Sequence, residues 1–161
     1  MRGRVFLGGE LVDDCEPRVV AARHLTVGQI LAVDHDGRRA LDLVALYEIV
    51  RYEVVLSLLG SGRILSQLKR QSVTAKTTST ELEKAICDAV LLATCFYWKP
   101  VLCLQRAVCT VRLLRRHGIY ARLVIGYRPT PFFSHAWVEV NGRVVYGSAA
   151  YQKRLMPLHV V

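Results

Sequence analysis

The first half of the chain changes from a strand-like pattern to a helical one. Residues 1–40 have the pattern of short strands and turns, and Asp36-Gly37 is a plausible hairpin turn. From Leu41 to Leu59 the apolar residues follow helical spacing, which predicts a long helix that ends at Gly60. A second, short helix is predicted over residues 64–70.

A polar segment separates this half from two further predicted helices. Residues 71–80 (QSVTAKTTST) contain no large apolar side chain besides Val73, so we expect a linker there. Thr80-Glu81-Leu82-Glu83 has the pattern of a capping box, which predicts a helix that reaches about Phe96. The next helix is predicted over residues 102–116, and Gly118 is well placed to end it.

After Gly118 the spacing of apolar residues becomes that of strands. Strands are predicted over residues 121–127 and 134–140, and Asn141-Gly142 is a strong signal for a tight hairpin turn. The turn leads into a strand over residues 143–146, and residues 158–161 are a candidate for the last strand. Two helices followed by an antiparallel sheet predict the α+β class.

The length and the distribution of charge divide the chain in the same way. The 161 residues are one domain's worth with a small appendage. We expect an N-terminal extension over residues 1–75 and the principal domain over residues 80–161. The whole net charge of +9 lies in residues 89–161, which hold ten basic residues, one acid (Glu139) and no Asp. Because this half contains no Asp, it cannot supply an aspartate to a catalytic site.

The composition excludes several classes of protein. No apolar run reaches the roughly 18 residues of a membrane-spanning helix, and the N-terminus lacks the apolar region of a secretory signal. We therefore expect a cytoplasmic protein whose five cysteines are reduced. Because these cysteines form no CxxC pair, we expect no metal site and no cofactor. Core positions are expected for Cys87, Cys95 and Cys109.

One cysteine and one histidine have the placement of a catalytic pair. Cys103 lies in the first turn of a predicted helix, where unpaired backbone N–H groups and the helix dipole favour a thiolate. His135 begins a later predicted strand, and an imidazole there can take the thiol proton and return it to the leaving amine. The spacing alone favours structural roles for both residues, so a catalytic assignment depends on the surrounding sequence.

The residues around this pair form an ordered series of motifs. The series runs CLQRA from Cys103, LLRRHGI from Leu113, ARLVIGYR from Ala121 and PFFSHAWVEVNG from Pro131. Taken together, it resembles the lasso peptide biosynthesis B2 proteins, which are transglutaminase-like leader peptidases. The resemblance covers residues 101–142, about a quarter of the chain. It implies a papain- or transglutaminase-like fold with the cysteine at a helix N-terminus and the histidine on a strand.

The resemblance also implies an activity and a set of partners. The activity is that of a cysteine peptidase that removes the leader from a ribosomally made precursor peptide, with Cys103 as the nucleophile and His135 as the general base and acid. The implied partners are the precursor peptide, a leader-recognition protein and an asparagine synthetase-like ATP-dependent cyclase. Residues 1–75 are either a short extension or a reduced leader-recognition region. Acyl transfer to an amine through the same thioester stays open.

The third member of the family's catalytic set is where this chain departs from the pattern. The family commonly places an acid after the hairpin, where an ungapped count finds Gly147 here. Counting across a two-residue turn pairs Ser148 with His135, which makes its hydroxyl a candidate to orient the ring. Glu139 lies about 13 Å along the strand, and Asp88 is a more distant candidate. The chain is therefore either a Cys–His dyad enzyme or a relative that binds peptide without efficient cleavage.

Aromatic residues near the pair are candidates for substrate binding. Phe132 and Phe133 precede His135 and either line a peptide groove or cover the core. Trp98 is either a donor to an oxyanion or a rim aromatic. Trp137 is expected as a core anchor, and Gln105 is expected on the surface.

The helix that begins near Cys103 carries several basic residues. We expect them to form a face turned away from most of its apolar residues. Such a face is either a solvated helix surface or a binding surface for an acidic peptide, a nucleic acid or an anionic surface. The chain shows neither interleaved stacking aromatics nor a nucleic-acid motif, so no nucleic-acid partner is expected. The residues of this face are Arg106, Arg112, Arg115 and Arg116.

Overall fold

The computed structural model describes residues 5–7, 10–12, 36–71, 73, 79–146 and 149–161. The chain divides into two compact units, Met1–His35 and Asp36–Val161. In the first unit, β1 (Val5–Leu7) and β2 (Glu10–Val12) pair in antiparallel fashion. The second unit contains all the other described elements, including a long helix that the sequence analysis placed in the N-terminal extension.

The long helix α1 (Asp36–Arg70) starts earlier than predicted and is interrupted where predicted. Gly60 has φ 75° and ψ 171°, which no helix accommodates, so two helical segments meet there. Asp36 and Gly37 begin the first segment, and the prediction of a hairpin turn at these residues is therefore wrong. One side of the helix is buried in the main core, through Ala45, Ile49, Tyr52, Ile64 and Leu68.

The second helix, α2 (Thr80–Phe96), is capped one residue before the predicted cap. The Ser79 side chain accepts a hydrogen bond from the Leu82 N–H at 3.3 Å, so Ser79 and not Thr80 caps the helix. Glu83 turns away from the cap and pairs with Arg143 at 2.9 Å. Among the described helices, none is both long and apolar enough to cross a membrane.

The third helix, α3 (Cys103–Arg116), has a well-defined end. Gly118 has φ 80°, a conformation that costs glycine little and other residues more. The amides of Gly118 and Ile119 donate to the carbonyls of Arg115 and Leu114 at 3.1 and 2.9 Å, the pattern of a Schellman motif. The predicted role of Gly118 is therefore confirmed.

A four-stranded antiparallel sheet follows the helices. Its strand order is β5-β4-β3-β6, with β4 and β3 in the middle. A short helix, α4, precedes the last strand and is absent from the predicted elements. Together with the helices, the sheet confirms the α+β class. The elements of this part are β3 (Ala121–Arg128), β4 (Phe133–Val140), β5 (Arg143–Tyr146), α4 (Ala149–Arg154) and β6 (Met156–Val160).

The two faces of the sheet belong to different clusters of apolar side chains. Helix α3 packs against α1, α2, β3 and β4. On β4, Ala136 and Val138 lie in the main core together with the helices. Trp137 points to the opposite face, as alternation requires, and forms a smaller cluster with Val124 and Leu155. The predicted role of Trp137 as a core anchor is confirmed, since only 2% of it is exposed.

Candidate functional site

Cys103 is the first residue of α3, and its side chain is partly buried at the edge of the main core. Leu102 occupies the cap position and provides no side-chain hydrogen bond. The first N–H groups of a helix have no partner within the helix, and the dipole places partial positive charge there. A thiolate at Cys103 and the oxyanion of a bound substrate would both be stabilised by this environment.

The start of α3 is held against α1 by a residue that we expected on the surface. Gln105 is only 5% exposed, and its amide donates to the Ile49 carbonyl at 3.2 Å. The prediction of a surface position is therefore wrong. Gln105 does point away from Cys103, as helical spacing requires, but α1 covers that side of the helix. The hydrogen bond fixes the first turn of α3, and with it the position of Cys103.

Tyr52 of α1 joins the site although no sequence motif indicated it. Burial raises the pKa of the Tyr52 phenol, and the nearby thiols of Cys109 and Cys103 raise it further when they are charged. Tyr52 therefore carries a neutral phenol that would interact electrostatically with a thiolate at either cysteine. The sequence gives no sign of this interaction, because Tyr52 and Cys103 belong to helices that are far apart along the chain.

His135 lies near the start of β4, in register with Gly126 of β3. It is partly buried, and its ring stacks with Phe133 at a centroid distance of 6.2 Å and an interplanar angle of 12°. Strand alternation places His135 on the face that carries Trp137, as predicted. This is the face opposite to Ala136, which packs in the main core with α3.

Cys103 and His135 nevertheless lie at the same end of the packed layers. Residues 117–120 reverse the chain between α3 and β3, and Arg115 Nε donates to the Ala121 carbonyl at 2.9 Å. From Cys103 to Arg115 the helix rises about 18 Å. From Ala121 to Gly126, the partner of His135, the strand runs about 17 Å. A thiol–imidazole contact would therefore form around the end of the sheet, not across its face.

The hairpin that was predicted to bring Ser148 opposite His135 contains an irregularity. Asn141 and Gly142 have φ of 52° and 75°, which confirms the tight turn. Val140 pairs with Arg143, but a bulge follows and Val138 pairs with Tyr146. The uninterrupted count that placed Ser148 opposite His135 therefore fails at the bulge. Ser148 itself, like Gly147, lies outside the described residues.

The only acid of the second half has other partners. Glu139 is buried, accepts hydrogen bonds from Trp137 Nε1 and Gln152 Nε2 at 2.9 Å each, and pairs with Arg122 at 3.0 Å. As expected from its distance along the strand, Glu139 is not positioned to orient His135. Asp88 lies on the exposed side of α2.

Exposed aromatic side chains surround this end of the molecule. Trp98 lies in the segment before α3 and is 72% exposed, and Phe132 lies in the segment before β4 and is 75% exposed. Phe133 is partly buried against the smaller cluster and stacks with His135. Both segments lead into the elements that carry Cys103 and His135. The arrangement suits a surface that receives an extended peptide.

Two further sets of sequence predictions need correction. Cys87 and Cys109 are buried as predicted, but Cys95 is exposed. Arg115 does not lie on a solvated face, because it is 8% exposed and donates to the carbonyls of Leu68 and Ala121 at 2.7 and 2.9 Å.

Comparisons with known proteins agree with this fold. A family model described as the transglutaminase-like superfamily matches residues 46–160. Over 43 residues the chain is 49% identical to the microcin J25-processing protein McjB of Escherichia coli, a stretch that covers 27% of this chain and 21% of McjB. No solved structure gives a significant match. Since the family model covers well over half of the chain, the protein belongs to the transglutaminase-like superfamily.

Proposed function

We propose that this protein is a cysteine peptidase that removes the leader from a lasso precursor peptide, with Cys103 as nucleophile and His135 as general base. The observation that supports the proposal is the position of Cys103 as the first residue of α3, in a fold whose strand β4 carries His135 as its third residue. Membership in the transglutaminase-like superfamily and the similarity to McjB support it. Its partners would be the precursor peptide, a leader-recognition protein and an asparagine synthetase-like cyclase, all in the cytoplasm.

The chemistry follows from the two side chains. His135 takes the proton from Cys103, and the thiolate attacks the carbonyl carbon of the scissile peptide bond. The oxyanion is stabilised by the backbone N–H of Cys103 at the helix start. The C–N bond then breaks, and the imidazolium gives its proton to the leaving amine. Water, deprotonated by His135, hydrolyses the thioester, releases the leader as a carboxylate and restores the thiol.

Cleavage of a synthetic precursor peptide, followed by mass spectrometry, tests the proposal. We expect Cys103→Ala and His135→Ala to lower the cleavage rate by a factor on the order of 10³ or more. Cys95→Ala is the matched control, because Cys95 is an exposed cysteine on α2. Unchanged cleavage by Cys103→Ala would exclude this mechanism. Addition of a primary amine distinguishes hydrolysis from acyl transfer, since transfer shifts the mass of the product.

A second function is favoured by the face on which His135 lies. Strand alternation directs His135 away from the α3 side of the sheet, and Glu139, the one acid in residues 89–161, is bound elsewhere. A transglutaminase-like module that binds peptide without cleaving it would have these features. In such a module Cys103 would be an ordinary thiol.

The rate of thiol alkylation against pH separates the two functions. In a binding module, Cys103 should be alkylated no faster than the exposed Cys95 across the pH range, whereas an activated nucleophile reacts clearly faster than Cys95 at neutral pH. Two other cysteines provide internal references. Cys95 is exposed, and burial raises the pKa of Cys109 to about 12, so Cys109 should stay unmodified.

A further inference from the structure

A basic groove lies at the end of α3 that is remote from Cys103. It is formed where the C-terminal ends of α1 and α3 meet, and its volume is about 500 Å³, within the range of ligand sites. Arg112 lies about 14 Å along the helix axis from Cys103, so the groove is distinct from the site described above. We call it the arginine groove; its lining residues are Gln67, Arg70, Gln71, Arg112 and Arg116.

A buried carboxylate holds two of the three arginines of the groove in place. Glu48 is only 1% exposed and accepts hydrogen bonds from Arg51 Nε at 3.1 Å, Arg112 Nε at 3.0 Å and Arg116 Nη1 at 2.9 Å. Within the described part of the chain, Arg112 and Arg116 donate to Glu48 through one nitrogen each. Their other N–H groups, and the guanidinium of Arg70, remain available to an anion.

The groove also contains a hydrogen-bond acceptor that lacks a donor. Gln71 Nε2 donates to the Arg112 carbonyl at 3.3 Å, which fixes the orientation of the side-chain amide. Its Oε1 is buried and has no hydrogen-bond partner among the described residues. Buried polar atoms are rarely left unpaired in folded proteins. A ligand that supplies both a donor and an anionic acceptor would satisfy the whole groove.

We propose that the arginine groove binds an acidic segment of peptide. A side-chain carboxylate of the peptide accepts hydrogen bonds from Arg70 and Arg116, and a neighbouring backbone N–H donates to Gln71 Oε1. A phosphodiester provides acceptors alone, and none of the five lining residues is an aromatic on which a base would stack. These two features favour a peptide over a nucleic acid. The binding requires neither Cys103 nor His135, so it is independent of the peptidase reaction.

Fluorescence anisotropy with the full-length Cys103→Ala protein tests the groove without interference from cleavage. The probe is a fluorescein-labelled peptide of alternating Gly and Glu residues. We expect Arg70→Gln and Arg116→Gln each to weaken binding about three- to fivefold, the size typical of exposed ion pairs. Arg63→Gln is the matched control, because Arg63 is an exposed arginine of α1 outside the groove. An equal loss with Arg63→Gln would contradict the proposal.

A second measurement tests the donor to Gln71 directly. The same peptide methylated on the backbone nitrogens of its Glu residues keeps every carboxylate but lacks these N–H donors. We expect it to bind the Cys103→Ala protein several-fold more weakly, and we expect the difference to vanish when Gln71→Met is added. Equal affinity for the two peptides would overturn the proposed contact. Tighter binding of an oligothymidylate of matched charge would identify the groove as a phosphate site instead.

Discussion

At the level of single residues, the structural role of Glu48 could not be predicted from its neighbours in the sequence. Its sequence neighbourhood is an ordinary helix, and two of its partners, Arg112 and Arg116, belong to another helix. Burial alone would raise the pKa of Glu48, but the charges and hydrogen bonds of Arg112 and Arg51 outweigh burial and lower it. Because the folded state lowers this pKa, ionised Glu48 stabilises the fold above the ordinary carboxyl range. That contribution is lost as the pH falls through the folded pKa.

Glu48→Gln should therefore destabilise the protein in a pH-dependent way. At neutral pH the substitution leaves Arg112 and Arg51 without their buried anion, and we expect the free energy of unfolding to fall by about 3 kcal/mol. As the pH falls below the ordinary carboxyl range and through the lowered pKa of Glu48, the wild-type carboxyl becomes protonated, so the difference should shrink. Urea unfolding at a series of pH values from neutral to acid measures this. The matched control is Glu53→Gln, because Glu53 pairs with the exposed Lys99, and the loss of such a pair should change the stability far less. A difference that is constant with pH would contradict the argument.

Gln105 and Arg115 show which part of a residue's environment the sequence predicts. Helical spacing predicted the direction of Gln105 relative to its helix correctly. The direction predicted for Arg115 was wrong, because Arg115 follows Val111 by four residues and lies on the same, buried side of the helix. Helical spacing could not show that α1 covers Gln105, or that the carbonyls of Leu68 and Ala121 receive Arg115. A polar residue on a helix is a surface residue only if no other element covers it, and that depends on tertiary packing.

At the level of elements, the residue types predicted where helices end and where the chain turns, but they did not predict how neighbouring strands pair. Gly118 and Asn141-Gly142 were identified correctly because a positive φ is a property of the residue itself. The bulge between Val138 and Glu139 left no signal, since it depends on how β5 packs beside β4. The pairing predicted between Ser148 and His135 assumed an unbroken ladder, and it stays a prediction because Ser148 lies outside the described residues.

Gly126 is a strand residue that tolerates no side chain. A Cβ at this position would lie 2.6 Å from the Trp137 ring and 3.0 Å from Leu155. The ring cannot easily move away, because Trp137 Nε1 donates to the buried Glu139. We expect Gly126→Ala to lower the free energy of unfolding by about 1–3 kcal/mol, the usual cost of overpacking.

Gly62→Ala provides a control of opposite sign for this prediction. No atom lies within 4 Å of a Cβ at Gly62, which is helical, so alanine should stabilise the protein by roughly 0.5–1 kcal/mol. Both variants can be compared by thermal unfolding in one buffer. Equal stability of Gly126→Ala and the wild type would mean that Trp137 has room to move.

At the level of the whole molecule, the polar segment over residues 71–80 and the change in charge are the two signals that predict a domain boundary there. The boundary stays a prediction, and the position of α1 is what bears on it. The second compact unit instead begins at Asp36, and the family model begins at residue 46. The reason is that α1 supplies one side of the main core, including Ile49 and Leu68, which have no exposed surface. A polar linker marks a change of direction in the chain, not the limit of its core.

Two truncated chains test this boundary. A chain of residues 36–161 retains every member of the main core and should unfold cooperatively in urea. A chain of residues 80–161 loses Ile49, Ile64 and Leu68 of α1, each worth about 1.5–3 kcal/mol, together with the buried Ala45 and Tyr52. That sum approaches or exceeds the 5–15 kcal/mol that stabilises a typical domain. We therefore expect the shorter chain to lack a cooperative transition and to bind a hydrophobic dye. A cooperative transition for residues 80–161 would show that α1 is dispensable to the core, and that the Gln105–Ile49 hydrogen bond is not needed to position Cys103.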